Sequence, residues 1–267
     1  MTASRWFGKL LPVFLVLLAS CSKEESREPV KSAEPEPAAP AAAPSPSAPA
    51  TPAPNSSTPG QGVGAITGKV VFKGTHAPGK VAIGKDKEVC GDSKLDPVLV
   101  VGSQGEVKNA VIQIAALKQA LSAPKEAVLD QVKCEYVPHV LAIPVGSTVK
   151  IKNSDGILHN VHTFSEKNPP FNRAQPKYLK EISEKFTKPE VISVRCDVHG
   201  WMSGWIVVTE SPFYDVTAAD GSFKMENVPV GKYPLDVWHE TLGKTSQSVE
   251  VKSGEVTNVT FEFQMKK

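Results

Sequence analysis

The stretch "VISVRCDVHGWMSGWIVV", residues 191–208, decides how this chain is read. Its first part alternates Ile192, Val194 and Cys196 with Ser193 and Arg195, the period of two of a half-buried strand. Cys196, His199 and Met202 then follow at intervals of three, and an apolar run resumes at Trp205. A thiol, an imidazole and a thioether thus share one short loop between two strands. A mononuclear copper site that shuttles one electron needs a thiolate and two imidazoles in a trigonal set, with a weak axial thioether. The second imidazole must arrive from elsewhere, and "NSDGILHNVHTF" (153–164) offers it in His159.

Outward from this loop the chain reads as strands. "STVKIKN" (147–153) alternates Val149 and Ile151 with lysines, and "VTFEF" (259–263) alternates Val259, Phe261 and Phe263 with Thr260 and Glu262. Turn signals divide the strands: "PVG" at 144–146 and 229–231, Asp155-Gly156, Asp220-Gly221 and Ser253-Gly254. "AALKQALSA" (115–123) suits a short helix, and "KYLKEISEKF" (177–186) fits helical and strand periods equally. The class is all-β, a β-sandwich.

The pair "LHNVHTF" and "CDVHGWM" resembles the cupredoxins, the small blue copper proteins, and most nearly their amicyanin and pseudoazurin branch, which shares Cys-x2-His-x2-Met. The resemblance covers about residues 130–208 and implies a Greek-key β-sandwich holding one type 1 copper ion. Carried over by position, His159 is the upstream imidazole, Cys196 the thiolate, His199 the second imidazole and Met202 the axial ligand. Asn160 matches the asparagine that clamps the two loops by hydrogen bonds. The sequence departs from the family at Arg195, where an aromatic residue is usual, and at Pro189–Ile192, where "Pro-Gly-x-Tyr" is usual. Neither departure changes a ligand. The family's downstream histidine shows an imidazole edge through an apolar patch. This makes Trp201, beside His199 and before Trp205, the candidate electron port, with a core role as its alternative. His162, three residues past His159 on a strand, faces the opposite way. His139 is expected to pack rather than ligate, and His76 and His239 to be surface residues.

"FYDVTAADGSFKMENVPVGKYPLDVWHE" (213–240) resembles the carboxypeptidase regulatory-like domain, a small transthyretin-like sandwich with the hallmark "T-x-x-D-G-x-F" and then "V-P-x-G-x-Y". Thr217, Asp220, Gly221, Phe223, Val228, Pro229, Gly231 and Tyr233 match it. The strands that normally precede this hallmark stand far upstream, as "ITGKVVFKG" (66–74) and "VKNAVIQI" (107–114). The expected organisation therefore has a copper domain (126–208) inserted into a regulatory-like sandwich formed by residues 63–125 and 209–267. The rival is a plain tandem, which would leave residues 107–114 far from 217–237.

The chain opens with Arg5 and Lys9, then the apolar run Leu10–Ala19, then Ser20 and Cys21. That run is too short to span a bilayer and reads as a signal peptide, residues 1–20. "LASC" resembles the lipobox of bacterial lipoproteins, which implies export and a lipidated Cys21 as the attachment to a membrane. Ser22 stands in place of the Asp that often retains such proteins at the inner membrane, so the resemblance implies the outer membrane of a Gram-negative cell. Residues 21–62 are dense in Pro, Ala, Ser and Glu and cannot bury a core, so they read as a disordered tether. In polyproline II form it reaches on the order of 100 Å.

Loss of residues 1–20 removes Arg5 and Lys9, which takes 30 basic residues to 28 against 28 acidic ones. A neutral chain gives no argument for nucleic acid. The segment from Lys167 to Lys188 is nonetheless basic and suits an acidic partner. With Cys21 lipidated and Cys196 a ligand, Cys90 and Cys134 remain. An oxidising periplasm favours joining them, but their separation neither supports nor excludes a disulfide. A dinuclear copper centre needs a second cysteine in the loop, a trinuclear cluster needs His-x-His pairs, and the sequence contains neither. It also has no Gly-x-Ser-x-Gly, His-Glu-x-x-His or phosphate loop, so turnover by this chain alone is not expected. The expectation is a tethered periplasmic electron carrier with an unknown redox protein as partner. Copper binding or delivery without electron transfer, and a structural module with a degenerate site, are the alternatives.

Overall fold

The computed structural model describes residues 62–118 and 126–265. The signal-like run, Cys21, the tether up to residue 61 and residues 119–125 lie outside the described residues. Among the described residues the chain is nearly all β, with a single four-residue helix, Lys87–Cys90.

Two sandwiches, each with its own core, account for the strands. In the first, Ser222–Pro229, Val63–Phe72 and Val256–Phe263 form one sheet, while Tyr214–Val216, Val111–Gln113, Gly231–His239 and Gly243–Val251 form the other. Ile66, Val70, Phe223, Met225 and Phe261 from one face meet Ile112, Leu235, Val237 and Val249 from the other. In the second, Asn172–Gln175, His159–Phe164, Glu190–Arg195, Ser203–Thr209 and Val140–Pro144 form a five-stranded sheet over Glu181–Lys185, Thr148–Asn153, Glu126–Val132 and Glu135–Val137. Leu129, Val149 and Ile151 meet Val161, Ile192, Val194 and Ile206 there. The alternation expected for 147–153 and 191–196 is the alternation seen: every second residue points into the core because successive side chains of a strand face opposite ways. The same geometry settles the second half of 177–186 as strand, since Ile182 turns inward from Glu181–Lys185 between exposed neighbours and the strand pairs with Thr148–Asn153, whereas residues 177–178 form a turn. Of the segment 115–123, residues 115–116 form a turn and 117–118 are not helical, and the rest lies outside the described residues.

The chain runs through the first sandwich, crosses to the second and returns to the first. Val111–Gln113 pairs with both Tyr214–Val216 and Gly231–His239, which puts residues 107–114 against 217–237. The motif residues have physical reasons to be there. Thr217 Oγ1 accepts the Ala110 amide at 2.9 Å and donates to the Val107 carbonyl at 2.7 Å, tying the two distant segments together. Gly221 sits at φ +71°, and Asp220 closes its turn onto the Ser222 amide at 3.0 Å. Gly68 lies where a Cβ would stand 2.1 Å from the Val259 carbonyl oxygen, so only glycine lets these strands approach.

Residues 80–95 depart from the expected division. The short hairpin Lys80–Ala82 and Ser93–Leu95, with the helix Lys87–Cys90 between its strands, sends Ile83 and Cys90 into the core of the second sandwich. Between the sandwiches, Val111 packs on Val140 and Val207, and Trp205 meets Trp238 edge-on at 5.2 Å. His139 does not stand with His159, Cys196 and His199. It pairs with Glu240, which also accepts the Trp205 indole N–H at 2.7 Å. His239 is buried, contrary to expectation, because its Nδ1 accepts the Thr241 amide in the turn that follows. His76 is half-buried, with Nε2 at 3.0 Å from the Leu99 carbonyl.

Candidate metal centre

Cys196 stands just past the end of Glu190–Arg195, and Ser203–Thr209 begins just after Met202. The loop between them is drawn tight by two backbone bonds, Cys196 N–H to Met202 O at 3.1 Å and Met202 N–H to His199 O at 2.8 Å. His159 opens the neighbouring strand His159–Phe164, which pairs with Glu190–Arg195 and so brings the two ligand segments side by side. Asn160 locks them: its Oδ1 accepts the amides of Asp197 at 2.6 Å and Val198 at 3.2 Å. Asn160 is itself held by the Asn172 carboxamide at 2.7 Å.

The result is a compact donor set. The ligating atoms of His159, Cys196 and His199 all lie within 4.8 Å of one another. The two Nδ1 atoms are 2.9 Å apart, and Cys196 Sγ is 3.7 Å from Nδ1 of His199. Met202 is buried in the same core at the end of the loop. Both imidazoles are turned by carboxylates on their far side: His159 Nε2–H donates to Asp155 at 2.8 Å, and His199 Nε2–H donates to Asp86 at 2.9 Å. A proton fixed on Nε2 leaves the Nδ1 lone pair free. Two such lone pairs facing each other repel unless a cation stands with them, so the residues fit a metal ion. In the metal-free protein a proton fills that need. Burial disfavours a charged His159, but Asp155 and the Cys196 sulfur outweigh it and push its pKa up to about 9. Burial lowers the pKa of His199, only partly opposed by Asp86, so it stays neutral. Burial also resists a Cys196 thiolate, yet His159 and nearby backbone N–H groups hold the thiol below its usual range.

Two expectations need correction. His199 is fully buried, with Asp86 over its outer edge, so it shows no imidazole to solvent. Trp201 is half-buried and packs on the core and on the His199 ring, 5.1 Å between centroids, so it is not the centre of an open patch. The physical cause is residues 80–95, which cover the site. His162 faces outward as expected, against Asp197 and stacked on Phe164. Arg195 lies over the Phe164 ring at 5.7 Å, a cation–π use of the position where an aromatic is usual. Cys90 and Cys134 are joined in a disulfide, leaving Cys196 as the free cysteine among the described residues.

The two aspartates were missed from sequence. Asp155 had a usable signal, standing four residues before His159 in "DGILH". Asp86 had none, since 113 residues separate it from His199.

No family model matches the sequence, and no curated protein matches it. Solved structures do. A copper-containing nitrite reductase from Thermus scotoductus SA-01 is 28% identical over 35% of this chain, with a TM-score of 0.29, and the chain spans only 25% of that protein. A purple cupredoxin from Nitrosopumilus maritimus is 24% identical over 31% of this chain and 99% of its own, with a TM-score of 0.27. An amicyanin mutant in its Cu(I) form is 28% identical over 38% of this chain and 98% of its own, with a TM-score of 0.28. Over about a third of its length this chain is similar to copper proteins, a purple cupredoxin and an amicyanin among them.

Proposed function

We propose that this chain is a tethered envelope protein that holds one type 1 copper ion on His159, Cys196, His199 and Met202 and passes single electrons between redox proteins. The convergence of one free thiol and two Nδ1 atoms within 4.8 Å carries the reading. Thiolate, imidazole and thioether donors suit copper, which supplies the one-electron couple. The protein's part is to hold the donors rigidly, through the Asn160 clamp and the two aspartates, and to keep water away from a buried thiolate. The reading assigns no enzymatic turnover to the chain. It places the copper domain as an insertion in a regulatory-like sandwich, and attachment at a lipidated Cys21, facing the periplasm from the outer membrane in preference to the inner, where an oxidising compartment suits the Cys90–Cys134 bond. A second reading, copper binding or delivery without electron transfer, draws on the closed edge of His199.

Two measurements decide. The purified protein with one equivalent of Cu(II) is expected to show an intense thiolate-to-copper absorption, and its absence would end the type 1 reading. Reversible voltammetry of the same sample separates a carrier from a delivery protein. Uptake is also expected to depend on pH. Because the His159 proton must leave before the nitrogen ligates, Cu(II) affinity rises with pH until about 9 and levels off above it. Competition against a chelator of known proton affinity checks this, and a flat profile between pH 6.5 and 9 would contradict it.

A further inference from the structure

We propose that Asp86 is a positioning residue for the metal centre: its carboxylate, carried over the site by the segment from Lys80 to Leu95, holds the Nε2–H of His199 and closes the outer edge of the ring to water. The ligand role of His199 rests on the copper reading; the contact itself does not.

The segment is built as a lid. Its base is the hairpin of Lys80–Ala82 with Ser93–Leu95, closed further in by the Ile83 amide on the Asp92 carbonyl at 3.1 Å. Ile83 and Cys90 bury in the core of the second sandwich, and Lys94 reaches Glu135 at 3.2 Å. Asp86 occupies the crown with φ 53° and ψ 35°, a left-handed conformation that costs a non-glycine residue on the order of 1 kcal/mol. Asp is among the few side chains that visit this region, and the local structure holds it there: the Asp86 carbonyl accepts the amides of Val89 at 3.0 Å and Cys90 at 2.8 Å. That turn sets the carboxylate 2.9 Å from Nε2 of His199, with its own side chain 43% exposed above a ring that has no exposure. The imidazole is thus separated from solvent by one carboxylate.

The disulfide joins this arrangement to its counterpart on the other imidazole. Cys90 is bonded to Cys134, and the Cys134 amide donates at 2.7 Å to Asp155 Oδ2, the oxygen that accepts from His159. One covalent link therefore braces both carboxylates, Asp86 behind His199 and Asp155 behind His159.

The test uses Asp86→Ala and Asp86→Asn in the full chain, with two readouts. In the metal-free protein, imidazole nitrogen NMR is expected to show His199 as the pure Nε2–H tautomer in the wild type and in Asp86→Asn, whose amide oxygen still accepts. Asp86→Ala is expected to keep that tautomer, because the His159 proton occupies the Nδ1 side of the ring, but to lose the protection of its Nε2–H, which then exchanges fast with water. In the Cu(II) form, transfer to excess chelator is expected to be about 10- to 100-fold faster for Asp86→Ala and intermediate for Asp86→Asn, the usual scale for losing a hydrogen-bond partner behind a ligating histidine. An Nε2–H exchange rate unchanged in Asp86→Ala, or release within twofold of wild type, overturns the proposal. A wild type that takes up no copper overturns the metal reading instead, and the NMR comparison still judges the contact.

Discussion

Cys196→Ser is expected to abolish the thiolate-to-copper absorption and to weaken Cu(II) binding on the order of a hundredfold or more. The scale follows from comparison: loss of a residue that only orients a metal ligand costs about 10- to 100-fold in affinity, and here a ligand itself is lost. A serine hydroxyl does not ionise near neutral pH, whereas the Cys196 thiol is held below its ordinary range by His159 and the surrounding N–H groups despite its burial. The replacement is nearly the same size at a position only 2% exposed, so the sandwich stays folded and the loss is chemical. Visible absorption and circular dichroism on the same samples separate the two effects. Cys196 is the free cysteine among the described residues, so a serine variant that keeps the band would place the thiolate elsewhere and refute the site.

Replacing both Cys90 and Cys134 by alanine lowers stability by about 4 kcal/mol. The bond closes a loop of 44 residues, and the chain-entropy relation gives about 4 kcal/mol for a loop of that length at room temperature, at the upper end of the usual range of about 2–4. For a folded part of this size each kcal/mol moves the midpoint by about 2–4 °C, so a fall of about 10 °C or somewhat more is expected by calorimetry. A dithiol reductant should move the wild type toward the variant and leave the variant where it was. If the wild-type midpoint ignores the reductant, the cysteines are not joined in the folded protein. The double replacement is needed because a single one leaves a thiol beside His199, within reach of the metal.

Much of the architecture was legible because period-two alternation is a direct image of strand geometry. Val149 with Ile151, and Ile192 with Val194, point into one core as the pattern required. The segment at 177–186 could not be read from period alone, since Ile182 is the one apolar residue of Glu181–Lys185 and the strand's pairing with Thr148–Asn153 decides the matter. The ligand loop was legible for a similar reason: Cys196, His199 and Met202 lie within seven residues, so backbone turns alone bring them together. Asn160 was legible through the resemblance, which implies a clamp between the two loops; which amides its carboxamide accepts, those of Asp197 and Val198, is a fact of strand pairing.

By itself the sequence determined an all-β chain, the candidate donor residues and the segments that carry them, because each of these is written within a few neighbouring positions. Tertiary structure decided what surrounds those donors. Whether Cys90 meets Cys134, whether His199 reaches the surface, and which carboxylate stands behind it depend on where residues 80–95 settle, and their one short helix and three-residue strands carry no periodic signal of it. The lid is placed by burial of Ile83 and Cys90 in a core assembled from residues 129–208, and Asp86 meets His199 across 113 positions of chain. Contacts at that range arise from packing, which local pattern does not encode.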